Sequence, residues 1–210
     1  MLISEEEVRN ILNIHKININ GVLHIGAHEC EELALYENLG IAKYNIVWID
    51  GNKEKVKEAQ TRGIQNVYYS VISDEDNKEV EFKITNNGQS SSILDFGTHS
   101  THHPHIHFVE VQKHQTITID SFYKKNDLDM EKYDLWNFDI QGAELMALRG
   151  AVNSIEYVKA LYLEVNNEEV YRGGALMDEL DEFLSKYKFK RVITKMTEYG
   201  WGDALYIKVT

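Results

Sequence analysis

Cysteine and proline each occur once in the 210 residues, as Cys30 and Pro104. A lone cysteine excludes an intrachain disulfide, and one proline with no repeat or low-complexity stretch gives no sign of a linker. Apolar runs are short. None approaches the ~20 residues of a membrane helix, and no secretory h-region stands out. Positive charge is also scarce: 22 Lys and Arg against 34 Asp and Glu leave a formal net charge of −12. That balance disfavours a nucleic-acid backbone or an anionic membrane as the main partner. The expectation is one soluble, cytoplasmic α/β domain spanning residues 1–210, long enough to bury a core without staples.

The chain reads as organised around residues 21–32. Gly21-Val22-Leu23-His24-Ile25 is an apolar run of the kind buried in a parallel sheet, Gly26-Ala27 turns it, and Leu33, Leu35, Tyr36 and Leu39 return at helical spacing. Asn45 to Ile49 follows as a second strand ending in Asp50. A strand-helix-strand unit with an acid at the second strand's end suits a nucleoside, whose ribose hydroxyls the acid takes. The unit could also be purely structural. A dinucleotide fingerprint needs glycine where this chain has His28 and Glu31, so pyrophosphate would meet bulk and negative charge. S-adenosylmethionine carries a sulfonium and no phosphate, and an acid-rich loop tolerates it better.

Before this unit, Ser4-Glu5-Glu6-Glu7 is a capping box opening a helix with Val8, Ile11 and Leu12 inward, so residues 1–19 should cover the sheet. After it come a charged helix from Lys53 to Arg62, a third strand over 66–72 and a half-exposed strand over 79–84. Ser70, Val71 and Ile72 fall where they would line an adenine ring. Residues 86–114 read as a mobile polar loop over the site, holding Ser90, Ser91 and Ser92 and then His99, His102, His103, His105 and His107. The histidines lack the fixed spacing and cysteines of zinc sites, which favours the loop reading over a metal centre. Thr116 to Ile119 alternates as a strand, with Asp120 expected to cap a helix through Lys125. Tyr133 to Ile140 should be a strand that delivers Asp139 to the edge shared by Gly26 and Asp50, before a helix with Leu145, Leu148 and Val152 inward. Lys159 to Val165 is a further strand with Glu164, Asn166 and Asn167 at its end. Leu176, Leu180, Phe183 and Leu184 form a core stripe on the last helix, and two closing strands suit an antiparallel pair. Tyr162, Tyr171, Tyr199 and Trp201 suit either sugar stacking or ordinary packing.

The ordered series His24-Ile-Gly-Ala-His28, Trp48-Ile-Asp-Gly-Asn52, Ser90-Ser-Ser92, Thr116 to Phe122, Phe138-Asp-Ile-Gln-Gly-Ala-Glu144 and Leu148-Arg-Gly-Ala151 resembles the FkbM-type methyltransferases over about residues 20 to 195. The resemblance implies a Rossmann-like class I fold: a seven-stranded, mostly parallel sheet with a reversed last strand and helices on both faces. It implies transfer of methyl from S-adenosyl-L-methionine to a hydroxyl oxygen, in a family acting largely on sugars, glycans and polyketide-type products. By position the glycine loop falls on Gly26, Ala27 and His28, the ribose acid on Asp50, and the D-x-x-G-x-E signature on Asp139, Gly142 and Glu144. Three positions depart from it: His24 replaces a usual Asp, Cys30 a common glycine, and Gln141 a frequent glutamate.

These readings assign cofactor binding to His24, Gly26, Ala27, His28, Asp50, Gly51, Asn52, Ser70, Val71, Ile72 and Asp139. They assign acceptor binding to Ser90, Ser91, Ser92, His102, His103, His105 and Gln141. Asp139 is the first candidate for general base or for holding the methionine ammonium, with His28 and Glu164 next. A metal-free site is preferred; the Mg²⁺ variant would draw on Asp139, Glu164 and Asn166. The acceptor is expected to be a sugar or glycan, and a glycosyltransferase, fused or associated, is a conceivable partner. Competing readings are an O-methyltransferase of a non-sugar natural product, a nicotinamide-dependent dehydrogenase, and a non-catalytic glycan- or nucleoside-binding module.

Overall fold

The computed structural model describes residues 1–209. Seven strands form the main sheet: β1 (Val22–Ile25), β2 (Ile46–Asp50), β3 (Val67–Tyr69), β7 (Leu135–Phe138), β8 (Ala160–Asn166), β9 (Phe189–Met196) and β10 (Trp201–Lys208). Their order is β3-β2-β1-β7-β8-β10-β9. β1 pairs in parallel with β2 and β7, β7 pairs in parallel with β8, and β10 runs antiparallel to both β8 and β9. This is the mostly parallel sheet with a reversed last strand that the sequence led us to expect.

A three-stranded sheet is inserted between β3 and β7: β4 (Val71–Ile72), β5 (Glu79–Thr85) and β6 (Phe108–Ile117), in the order β4-β6-β5. The single strand expected over 66–72 is therefore two, which part at Ser70, and β4 pairs with β6 rather than continuing the main sheet. β6 also shortens the expected loop, which ends at His107 instead of reaching 114.

Alternation along the strands sorts the core into two layers. Val22, Ile46, Trp48 and Leu135 pack on one face with α1 (Glu5–Ile14), α2 (Leu33–Asn38) and α3 (Lys53–Thr61). Leu23, Ile25, Val47, Ile49, Trp136 and Phe138 pack on the other with α5 (Ile119–Lys125), α6 (Glu144–Arg149) and α7 (Met177–Ser185). The Ser4–Glu7 capping box forms as expected, and Val8 and Leu12 are buried beneath α1. Three helix details differ. Thr118 caps α5, while Asp120 lies inside the helix and accepts from the backbones of Asn153 and Ser154. α6 stops at Arg149, which leaves Val152 beyond the buried stripe and exposed. Leu176 sits at the N-cap of α7, outside its first turn, and is also exposed.

Candidate active site

The parallel strands deliver Gly26, Asp50, Asp139 and Glu164 to one edge of the sheet. The register sets Ile25 beside both Ile49 and Phe138, and Phe138 beside Leu163, so the residues that follow are neighbours. Two chambers open here. One is a narrow slot of about 40 Å³ lined by Gly26, Gly51, Ser70, Val71, Ile72, Phe82, Ser91, Ile93 and Asp139. The other is a wider cavity of about 440 Å³ whose wall includes Ala27, His28, Glu31, Glu32, Ser90, His99, His103, Gln141, Glu164, Trp201 and Asp203. Gly26 and Asp139 belong to both. Neither chamber has a Lys or Arg in its lining among the described residues.

Gly26 has φ of +87°, and a Cβ on it would lie 1.8 Å from the Asp139 carbonyl oxygen, so no side chain fits at the meeting point. Beyond it the loop stays left-handed at His28 (φ +41°) and Cys30 (φ +58°). Cys30 thus takes the conformation that a glycine in its place would take freely. Asp50 braces this turn: Oδ2 accepts from the His28 backbone N–H (2.7 Å) and Oδ1 from that of Asn52 (2.6 Å). Asn52 caps α3 through its side chain.

His24 and Asn137 sit in otherwise apolar strands and share a face. The Tyr36 hydroxyl lies 3.0 Å from His24 Nδ1 and accepts from the Asn137 amide. The His24 ring packs 5.0 Å from Trp48, and burial depresses its pKa to about 4. His24 is therefore a neutral, buried ring outside both chambers, reaching only a small void behind Asp139. The position that usually carries an acid contributes no charge here.

The floor of the cavity is acidic. The Gln141 amide donates to Asp139 Oδ1 (2.5 Å) and to Glu164 Oε2 (2.6 Å), while its own oxygen accepts from the Tyr171 hydroxyl. The Asp139 carboxyl is reachable from the cavity yet ringed by protein. That enclosure raises its pKa, Gln141 opposes the shift, and the charge of Asp203 adds to it. Glu164 is pushed well up by burial and then by the charges of Asp139, Glu144 and Asp203, so it carries the proton of the pair. Glu144 is raised to about 8 by burial and accepts from the backbone N–H groups of Ile140 and Gly142, which fixes the turn after β7.

The histidine-rich segment, expected as a polar loop over the site, is hydrogen-bonded to the chain that follows β8. Gly97, Thr98 and His99 donate backbone N–H groups to the carbonyls of Val170 and Glu169, and His102 Nε2 lies 2.9 Å from Glu168. This docks α4 (His99–His102) against the chain that follows β8. His99 stacks on Phe96 at 4.3 Å, and burial and neighbouring histidines lower its pKa to about 4. Of the acceptor residues expected from the sequence, Ser90, His103 and Gln141 line the cavity and Ser91 lines the slot. Ser92 instead donates to the Gln141 carbonyl, His102 is held by Glu168, and His105 is exposed outside both chambers. Of the cofactor residues, Asp50 and Asn52 stand behind the slot as braces; Asn166, named only for the Mg²⁺ variant, keeps a buried, unpartnered Oδ1 away from the cavity wall. Tyr162 is buried away from the cavity, Tyr171 is buried yet lines it together with Trp201, and Tyr199 is exposed at the surface.

Sequence reasoning passed over Asp203 and Glu32 as wall residues, and it offered Tyr171 only as a stacking candidate and His99 only as one histidine of the loop. Asp203 had a signal: it is a lone acid in a closing strand, and it pairs in register with Glu164. Tyr171 was visible only as an aromatic, because its hydroxyl reaches Gln141 through tertiary packing.

The sequence matches the family model "Methyltransferase FkbM domain" over residues 21–191. The chain belongs to the FkbM methyltransferase family. It thus has the family and fold of S-adenosylmethionine-dependent methyltransferases. A comparison with curated proteins finds no match. Among solved structures, the FkbM domain is similar to a SAM-dependent methyltransferase from Aquifex aeolicus, with 14% identity, 99% of this chain and 91% of that one covered, and a TM-score of 0.45. It is also similar to precorrin-6y C5,15-methyltransferase from Geobacter metallireducens GS-15, with 13% identity, 99% and 90% coverage, and a TM-score of 0.46. A third is magnesium protoporphyrin IX methyltransferase from Synechocystis PCC 6803 with bound SAM, with 11% identity, 98% and 78% coverage, and a TM-score of 0.44. No helix among the described residues is long and apolar enough to cross a membrane.

Proposed function

We propose that this FkbM domain is an S-adenosylmethionine-dependent O-methyltransferase whose acceptor is a hydroxyl of a sugar or glycan. The observation that carries the reading is the meeting of an apolar slot and a polar, acid-lined cavity at Gly26 and Asp139. The slot suits a purine: Val71, Ile72, Ile93 and Phe82 supply apolar surface, and Ser70 and Ser91 supply polar atoms. The glycine turn lets Gly26 pack on the Asp139 backbone and bring Ala27 and His28 to the cavity wall, where the carboxylates suit the ammonium and sulfonium of the methionine portion. Asp50, behind the slot, braces the turn through both oxygens, and its part in holding the ribose is to fix the backbone at His28 and Asn52 and to offer the lone pairs those two donors leave.

When bound, S-adenosylmethionine supplies an electrophilic methyl group and a neutral thioether as leaving group. The protein aligns the acceptor oxygen for in-line attack and takes the hydroxyl proton as the new C–O bond forms and the C–S bond breaks. Asp139, the acid common to both chambers, receives that proton, a contribution of ~10²–10⁴-fold for a well-placed base. Ser90, His99 and His103 face the acceptor on the cavity wall. A neutral, polyhydroxylated acceptor fits a wall rich in hydrogen-bond acceptors, and a polyanion does not.

The test is isothermal titration with S-adenosylhomocysteine, with and without EDTA, followed by a screen of sugar acceptors for transfer of labelled methyl. Micromolar binding and methyl transfer to a sugar hydroxyl support the proposal. Binding with transfer only to non-sugar hydroxyls overturns the acceptor class, and absence of binding overturns the cofactor.

A further inference from the structure

Gln141 interrupts the acid-rich signature, and its side chain has one consistent arrangement. An amide NH₂ has two hydrogens, and both are committed: one to Asp139 Oδ1 at 2.5 Å, one to Glu164 Oε2 at 2.6 Å. Tyr171 decides which end of the amide faces the acids. Its hydroxyl donates to the Gln141 oxygen, so a reversed amide would set a carbonyl oxygen between two carboxyl groups and turn an N–H toward a donor. Tyr171 is itself fixed, 1% exposed and packed against Phe96 and His99. Burial above all, with the acids beside it, keeps its phenol protonated, hence a donor.

Three consequences follow from this geometry. Gln141 has no N–H left for an acceptor molecule, although it lines the cavity. The amide nitrogen occupies the gap between Asp139 and Glu164 that a bridging Mg²⁺ would need. Oδ1 of Asp139 is taken by the amide, and the Asp139 and Glu164 carboxyls also share a hydrogen bond.

We propose that Gln141 is the positioning residue of the methyl-transfer site: oriented by Tyr171, its amide bridges Asp139 and Glu164 in place of a divalent cation and holds the Asp139 carboxyl at the cavity wall for the acceptor hydroxyl. The role toward the acceptor rests on the methyltransferase reading, whereas the bridge does not. Asp203, Glu32 and His24 also act on Asp139, and Glu144 and Asp203 on Glu164, so removing the bridge exposes the pair to their fields.

The experiment is a ¹³C NMR titration of the Asp and Glu side-chain carboxyls in the full chain, alone and with S-adenosylhomocysteine. It compares the wild type with Gln141→Met, which has similar length and no N–H, and with Tyr171→Phe, which keeps the ring packing. In the wild type, Asp139 titrates below Glu164. Loss of a hydrogen bond to a charged group should raise the Asp139 step by about one pH unit in Gln141→Met. Tyr171→Phe should move it in the same direction by less, and should decide the matter if Gln141→Met folds poorly. Affinity for S-adenosylhomocysteine should stay within about threefold in both. Unchanged Asp139 and Glu164 titrations in the variants overturn the proposal, as does a large loss of affinity, which would make Gln141 a cofactor contact. A second reading adds Mn²⁺ alone as a paramagnetic probe: stoichiometric binding that broadens the Asp139 and Glu164 carboxyls in the wild type also overturns it. Failure of the wild type to bind S-adenosylhomocysteine defeats the cofactor reading, while the carboxyl titration still decides the bridge.

Discussion

Gly26 and Asp139 touch through backbone as well as through function. A methyl group on Gly26 would meet the Asp139 carbonyl at 1.8 Å in a left-handed turn. Gly26→Ala should therefore both destabilise the fold, by about 1–3 kcal/mol, and weaken S-adenosylhomocysteine binding at least tenfold, measured by urea unfolding and calorimetry. Asp139→Asn asks a different question, since it keeps shape and removes the base. Cofactor affinity should change only a few-fold while methyl transfer falls ~100-fold or more, and equal losses would mean that Asp139 holds the cofactor instead. The sequence displayed Gly26, Asp50, Asp139 and Glu164 clearly, because strand ends in a parallel sheet converge on one edge. It did not display that Asp50 spends both oxygens on backbone N–H groups, nor that His24 is silent, because both depend on what the loop and α2 bring alongside.

The turn between β7 and α6 is built on a buried acid. Glu144 accepts from Ile140 and Gly142, and its pKa is raised to about 8 from an ordinary value near 4.5. A carboxyl raised in the fold binds its proton more tightly there than in the unfolded chain. Its contribution to stability is complete below about 4.5 and is lost as pH rises through about 8. Glu144→Gln can still accept both backbone bonds but cannot ionise. Urea unfolding between pH 6 and 9 should show the wild type weakening with rising pH and the variant weakening less. The segment holding α4 makes a second case. With Glu168→Ala the His102 and Thr98 contacts are lost, and amide exchange over residues 97–103 should quicken about tenfold or more while β1 and β7 stay unchanged. Sequence reasoning expected mobility here because histidine, serine and threonine without apolar periodicity look like an untethered loop. The tether is mostly backbone hydrogen bonding to residues 169–170, which side-chain pattern does not encode.

At the scale of the molecule, the main sheet was legible from its apolar strands and from the placement of acids at their ends, and the inserted sheet was not. β5 could be seen by its alternation, but β6 runs through Val109, Val111, Lys113 and His114 as a largely exposed ribbon, with too little burial to mark it apart from the loop before it. That small sheet has a consequence for kinetics. The slot proposed for the purine holds about 40 Å³, and Phe82, on β5, and Ile93 form part of its wall. If the proposed purine seats by parting Phe82 and Ile93, the opening step belongs to the inserted sheet rather than to the main one. Association of S-adenosylhomocysteine followed by stopped flow should then level off with concentration at the rate of that opening, rather than climb linearly as a preformed pocket at ~10⁵–10⁷ M⁻¹s⁻¹ would allow. Phe82→Ala should lift the plateau, making the insertion the timekeeper of cofactor exchange.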